Sequence, residues 1–119
     1  MTEGINIGSG PYQGRFADVR PLTLANAVTF TEGGPTRSVE LGDRRVARLT
    51  LTIENADLAS LEVAVEVSRN GVDWYTSGAF APAAEDGSQE GLFMLDRFVR
   101  ANLSLDGTTA DVTIAGEVV

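Results

Sequence analysis

The amino-acid sequence predicts an all-β fold, an antiparallel β-sandwich or barrel of about seven or eight short strands behind an extended N-terminal arm. Three observations lead there. Apolar and polar residues alternate with period two in several segments. Turn signals such as Gly33-Gly34-Pro35, Asn70-Gly71 and Asp106-Gly107 separate those segments at short intervals. No long apolar stripe recurs at helical spacing, so few helices are expected.

The 119 residues suit one domain, large enough to bury a core without disulfides or metal. Residues 1–20 stand apart as an arm punctuated by Gly4, Gly8, Gly10, Pro11 and Gly14; residues 21–119 form the domain. Ile5, Ile7, Tyr12 and Phe16 are the arm's apolar anchors, suited to docking on a neighbour. Ordering such an arm costs backbone entropy, which predicts that it is mobile in a free monomer.

From Pro21 onward each element has a local cause. Leu22, Leu24, Val28 and Phe30 share one parity and predict a strand, with Asn26 marking a bulge, a bend or an edge position. Residues 32–35 predict a loop, and Val39 with Leu41 a short strand. Leu49, Leu51 and Ile53 alternate with Thr50, Thr52 and Glu54; Asn55-Ala56-Asp57 then predicts a turn, with a helical or irregular stretch near Leu58. Leu61, Val63, Val65 and Val67 give the clearest half-buried strand, ended by Asn70-Gly71, a dipeptide tolerant of positive φ. Residues 72–77 predict the return strand. Residues 82–91 predict an acidic flexible loop, and Phe93 with Leu95 another short strand. Val99, Ala101, Leu103 and Leu105, then Val112, Ile114, Gly116 and Val118, predict an antiparallel hairpin closed at Asp106-Gly107.

Composition narrows the chemistry. The chain has no Cys and no His, so disulfides, thiolate catalysis and the commonest zinc ligand are excluded. All nine basic residues are Arg, which excludes a Schiff-base lysine and a P-loop lysine. Against them stand 17 acidic residues and a net charge of −8, unfavourable for a nucleic-acid partner. No stretch approaches the roughly 20 apolar residues of a membrane helix, and Met1-Thr2-Glu3-Gly4 lacks a basic start, so no membrane partner and no signal peptide are expected. Synthesis in a cytoplasm is expected, with any later location reached by assembly.

The candidate sites are few. Gly8-Ser9-Gly10 lacks the Lys and the third glycine of a phosphate loop and suits a flexible arm. Glu62 and Glu66 lie on one outward strand face, where solvation explains them better than paired-carboxylate catalysis. Glu85, Asp86, Ser88 and Glu90 do not follow the EF-hand spacing and suit an exposed loop. The expectation is therefore no enzyme, no cofactor and no metal. Trp74 and Tyr75 are neighbours, so in a strand one enters the core and the other meets solvent or a partner; Tyr75 is the interface candidate, and an exposed ring also suits sugar stacking. Arg44, Arg45 and Arg48 cluster at a strand start, suited either to an acidic patch on a neighbouring subunit or to edge protection.

The run Leu61-Glu62-Val63-Ala64-Val65-Glu66-Val67-Ser68-Arg69-Asn70-Gly71-Val72-Asp73-Trp74, followed by Phe98-Val99-Arg100 and Asp106-Gly107, resembles small β-sandwich proteins encoded among the head and tail genes of tailed bacteriophages and prophages. It also resembles discoidin-like and other β-sandwich binding modules. The likeness covers about residues 45–118, the part readable as a sandwich. It implies a structural virion role with no catalytic residues: a capsid decoration or cement protein on the head exterior, or else a head–tail connector or tail-tube component. Its partners would be the major capsid protein or tail and connector proteins, together with copies of itself. A carbohydrate- or ligand-binding module is the alternative of another class.

Overall fold

Two strands run almost the full length of the molecule. In the computed structural model, which describes residues 19–119, β4 spans Val46–Ser68 and β7 spans Phe98–Val118. They pair antiparallel from Ala47↔Val118 to Ser68↔Phe98. The outer edge of β7 is lined by β1 (Arg20–Phe30), β2 (Gly34–Pro35) and β3 (Val39–Glu40). The outer edge of β4 is lined by β5 (Tyr75–Ala79), a single bridge from Ala83 to Leu61, and β6 (Gly87–Met94). The result is one antiparallel sheet, four ribbons wide and without a helix among the described residues.

This sheet is folded across its middle into two layers. A straight β4 would extend roughly 75 Å, yet the longest dimension of the molecule is 52 Å. Phe93 pairs with Ala47 at one end of β4, and Gly78 pairs with Val65 near the other. In the folded sheet a Cβ built on Gly78 would lie 3.1 Å from the Phe93 ring. Phe80 and Phe93 meet edge to face at 5.1 Å. A β-sandwich thus forms from one sheet, with Leu49, Leu51, Leu61, Val63, Val65, Val99, Val112 and Ile114 sealed between the layers. Each such side chain contributes about 1.5–3 kcal/mol by leaving water.

The fold line corrects the expected hairpin. Residues 99–105 and 112–118 do not pair with each other; both pair with β4, and Asp106-Gly107 is a bend inside β7. Asn55-Ala56-Asp57 is likewise a bend inside β4, and the stretch near Leu58 is irregular, not helical, its register shifting at Asp57/Leu58 and Leu58/Ser60. Between Glu54↔Asp111 and Leu61↔Leu105 the β4 strand advances one residue more than β7. The inward residues of β7 accordingly change parity, from Val99, Ala101 and Leu103 to Ala110, Val112 and Ile114. Gly107 has φ +151°, and a Cβ there would overlap Leu58 Cα, so the two bends can nest only with glycine.

Other elements deviate for similar reasons. Val28 is 43% exposed and not inward, because β1 slips register around Asn26, where Ala27 has φ +50°; Ala25 takes the buried place. The bulge reading of Asn26 is the one the register bears out. Gly34-Pro35, expected in a loop, forms β2. Residues 87–91, also expected in a loop, belong to β6. Their inward positions are Gly87, Gln89 and Gly91, and the Phe93 ring folds back over Gly91 to supply the apolar surface. That arrangement hides the alternation. The arm anchors Ile5, Ile7, Tyr12 and Phe16, and Gly8-Ser9-Gly10, lie outside the described residues.

Candidate interface at the open end

Opposite the fold line the sandwich is open, and there the loops 41–45, 69–74 and 95–97 gather. Arg44 and Arg45 border a cleft of about 230 Å³ with Met94, Leu95 and Asp96. The backbone of Arg45 is tied on both sides, its N–H donating to Val119 O at 2.8 Å and its carbonyl accepting from Leu95 at 2.8 Å. Tyr75, 53% exposed, donates its hydroxyl to Asp96 Oδ2 at 3.3 Å. Arg69 approaches the same carboxylate at 3.8 Å. Of the expected interface residues, Arg44, Arg45 and Tyr75 therefore converge around Asp96. Arg48 stands apart on the outer face of β4, opposite Leu92 on β6 and Glu117 on β7.

Sequence reasoning missed the apolar part of this surface. Leu92 is 69% exposed and Met94 67%, both on the outward parity of edge strand β6 and beside Arg48 and Val46. Their signal was present as the parity opposite to Phe93. Only the recognition of residues 87–91 as strand makes it readable. The edge itself is partly covered. Ser77 Oγ donates to Met94 O at 2.7 Å, and the Gln89 amide pairs with both N–H and C=O of Ala81, at 2.8 and 2.9 Å.

The quoted 61–74 segment folds as one unit with β7. Ser68, fully buried, accepts from Gly71 N–H at 2.8 Å and donates to Asn70 Oδ1 at 3.1 Å. Asn70 Oδ1 also accepts from Val72 and Asp73, both at 2.9 Å, and Gly71 takes φ +77°. The loop is thus an Asx turn held by its own side chains. Trp74 precedes β5 and is half-buried, so neither aromatic enters the core; one face of the Trp74 ring is covered by the Arg100 guanidinium at 4.2 Å. Arg100 Nε donates to Glu66 Oε1 at 2.8 Å, and Asn102 Nδ2 to Glu66 Oε2 at 3.2 Å. Glu66 is accordingly no solvated outward carboxylate as expected. It is half-buried and bonded, whereas Glu62 is exposed.

The fold line is the acidic end. Glu54, Asp57, Glu85, Asp86, Asp106 and Asp111 collect there, while residues 49–68, 70–96 and 101–119 contain no Arg. Asp86 accepts from the successive N–H groups of Asn55 and Ala56, at 3.1 and 2.9 Å, clamping the bulge of β4. Asp111 accepts from Thr29 Oγ1 at 2.6 Å and from Asn55 Nδ2 at 2.8 Å. Those two bonds, Thr29 first, hold its carboxyl below the ordinary value of 3.8. Among the described residues no three carboxylates converge into a metal-sized group. Comparison with protein-family models, with curated proteins and with solved structures finds no match.

Proposed function

We propose that this chain is a non-enzymatic structural protein of a tailed-phage virion, acting as decoration or cement on the head exterior. The observation that carries the assembly reading is the open end. Met94 and Tyr75 stand largely in water at the end that carries Arg45, with Leu92 and Arg48 on the adjoining outer face. Exposed apolar and aromatic side chains flanked by Arg are what protein interfaces bury. The virion assignment rests on the likeness of residues 61–74 and 98–107 to the phage β-sandwich proteins. The net charge of −8 suits an exterior position better than contact with packaged DNA. A head–tail connector or tail-tube role is the second reading, favoured by the separation of charge between the two ends, since subunits with unlike ends suit stacking.

The test is location. Particles purified from an induced or infected culture are expected to carry the chain through a density gradient, and gold-labelled antibody is expected to mark the heads. Label confined to the tail or neck would replace the first reading by the second. A chain absent from purified particles would overturn both.

A further inference from the structure

We infer that copies of this chain associate head to tail, the open, arginine-bearing end of one copy seating on the acidic fold line of the next. The inference deepens the assembly reading above and rests on it, by naming the partner of the open end as a second copy. Four observations carry it.

The first is the distribution of charge. Every described Arg lies in the half of the sandwich away from the fold line: Arg20, Arg44, Arg45 and Arg48 around the start of β4, Arg69, Arg97 and Arg100 at the other side of the opening, and Arg37 between. The fold line carries six carboxylates and no Arg among the described residues. The open half also carries Glu40, Asp43, Glu66, Asp73, Asp96 and Glu117, so it is near neutral while the fold line is strongly negative, and that contrast suits one end to receive the other.

The second is that the ion pairs follow the same division. All three salt bridges among the described residues, Arg69–Asp96, Arg97–Glu40 and Arg100–Glu66, lie in the open half. Arg45 and Arg48 are exposed and make no ion pair among the described residues. The charge of Arg45 is available to a partner; that of Arg48 faces Glu117 on the neighbouring strand.

The third is apolar complementarity. Leu92 and Met94 flank Arg48 on the outer face. At the fold line Ala81, Pro82 and Ala84 are exposed beside Glu85. Apolar side chains thus adjoin Arg on one end and carboxylate on the other, the composition of an interface core with a charged rim.

The fourth is shape. Pro82, Ala84, Glu85 and Asp86 border a cleft of about 310 Å³ at the fold line. A guanidinium entering there from the next copy would meet Glu85, because the Asp86 oxygens already accept from Asn55 and Ala56.

A contact between unlike ends is heterologous. It closes into a ring when the rotation between copies allows and otherwise extends as a filament. The whole-molecule charges repel, so added salt has two effects. At about 0.1 M the Debye length is near 10 Å, which screens repulsion between distant charges and spares contact pairs. At about 0.5 M the contact pairs are weakened as well.

Sedimentation velocity of the full chain tests this. At about 0.1 M salt the sedimentation coefficient is expected to rise with protein concentration, and at about 0.5 M to fall to the monomer value. R45E/R48E and D57R/E85R are each expected to weaken association about tenfold or more, the factor about 1.4 kcal/mol represents. All four positions are exposed, so circular dichroism should match the parent, and the melting temperature should fall only slightly where R48E sets Glu opposite Glu117. An equimolar mixture of the two variants is expected to associate again, because each reversed end meets its complement. A parent that stays monomeric at about 0.1 M salt, association indifferent to both reversals, or a mixture of folded variants that stays apart would overturn the head-to-tail contact. Those outcomes leave the presence of the chain on particles to be decided separately by gradient and antibody.

Discussion

Asn55 shows how one residue can serve backbone and side chain together. Its φ of +53° lets β4 bend, its N–H goes to Asp86, and its Nδ2 goes to Asp111 across the sheet. Asp111 in turn accepts from Thr29. Because these bonds favour the ionised carboxyl, its folded pKa lies below the unfolded one. The stabilisation is then complete above the ordinary carboxyl range and is lost as pH falls through the lowered folded value. Denaturation midpoints of the parent and Asp111→Ala should therefore differ at neutral pH and converge below about pH 4. A difference that grows on acidification would reverse the sign of this linkage. Glu66 is the second such residue, and here the structure alters the expectation. A solvated carboxylate would tolerate Glu66→Ala. Instead, losing it leaves Arg100 Nε and Asn102 Nδ2 without their carboxylate acceptor and should destabilise by about 1–3 kcal/mol. Trp74 emission should shift to longer wavelength as Arg100 leaves the ring. Val65→Asp, one position away and fully buried, should cost more still and unfold the domain at room temperature, since its charge has no partner between the layers.

At the scale of elements, the chain uses turn chemistry for bends. Asp106-Gly107 and Asn55-Ala56-Asp57 carry the composition of chain reversals, and both lie within continuous strands. Local composition permits either outcome. The continuous strand prevails because β4 and β7 can then bury apolar side chains against one another in both layers. The bulge of β4 frees two N–H groups from the ladder, and the Asp86 carboxylate collects them. Asp86→Ala should lower stability by about 1 kcal/mol, since those amides are exposed and water can replace part of the bond. In a domain of this size that is a fall in melting temperature of about 4–8 °C. Gly107→Val should be more severe, because the added side chain overlaps Leu58 on the facing strand. If calorimetry ranks the two variants the other way, the bends do not nest as described. The strand parities of residues 61–67, 99–103 and 112–114 were legible throughout, whereas β6 was not. Its inward positions are Gly and Gln, with one Phe ring covering the glycine from two residues away.

For the whole molecule, the two long strands make the layers parts of one unit. Every residue of β4 between Ala47 and Ile53 shares its strand with the 61–67 segment of the other layer, and the buried side chains form a single cluster. Chemical unfolding followed by Trp74 fluorescence, near the open end, and by far-ultraviolet circular dichroism, which averages the sheet, should give coincident transitions. Separate midpoints would mean that the layers melt independently about the fold line. Charge is organised at the same scale. The arginines of residues 20–48 and 69–100 are dispersed only along the chain; folding brings them to one half and gathers carboxylates of three separate segments, without Arg, at the other.

By itself the sequence determined the all-β class, the faces of its clearest strands, the chain reversal at Asn70-Gly71 (though in a wider loop than a tight turn) and the absence of thiol, imidazole and amine side chains. Each of these follows from residue identity or from a period of two, which are local properties. The tertiary structure alone decided that two expected turns are bends, that residues 87–91 pair as an edge strand, that Glu66 is bonded and half-buried, and that Leu92 and Met94 remain in water. Those outcomes depend on which strands lie side by side after the sheet folds across its middle. Partners there come from distant parts of the chain, and the free energy that selects them is the burial of both layers at once.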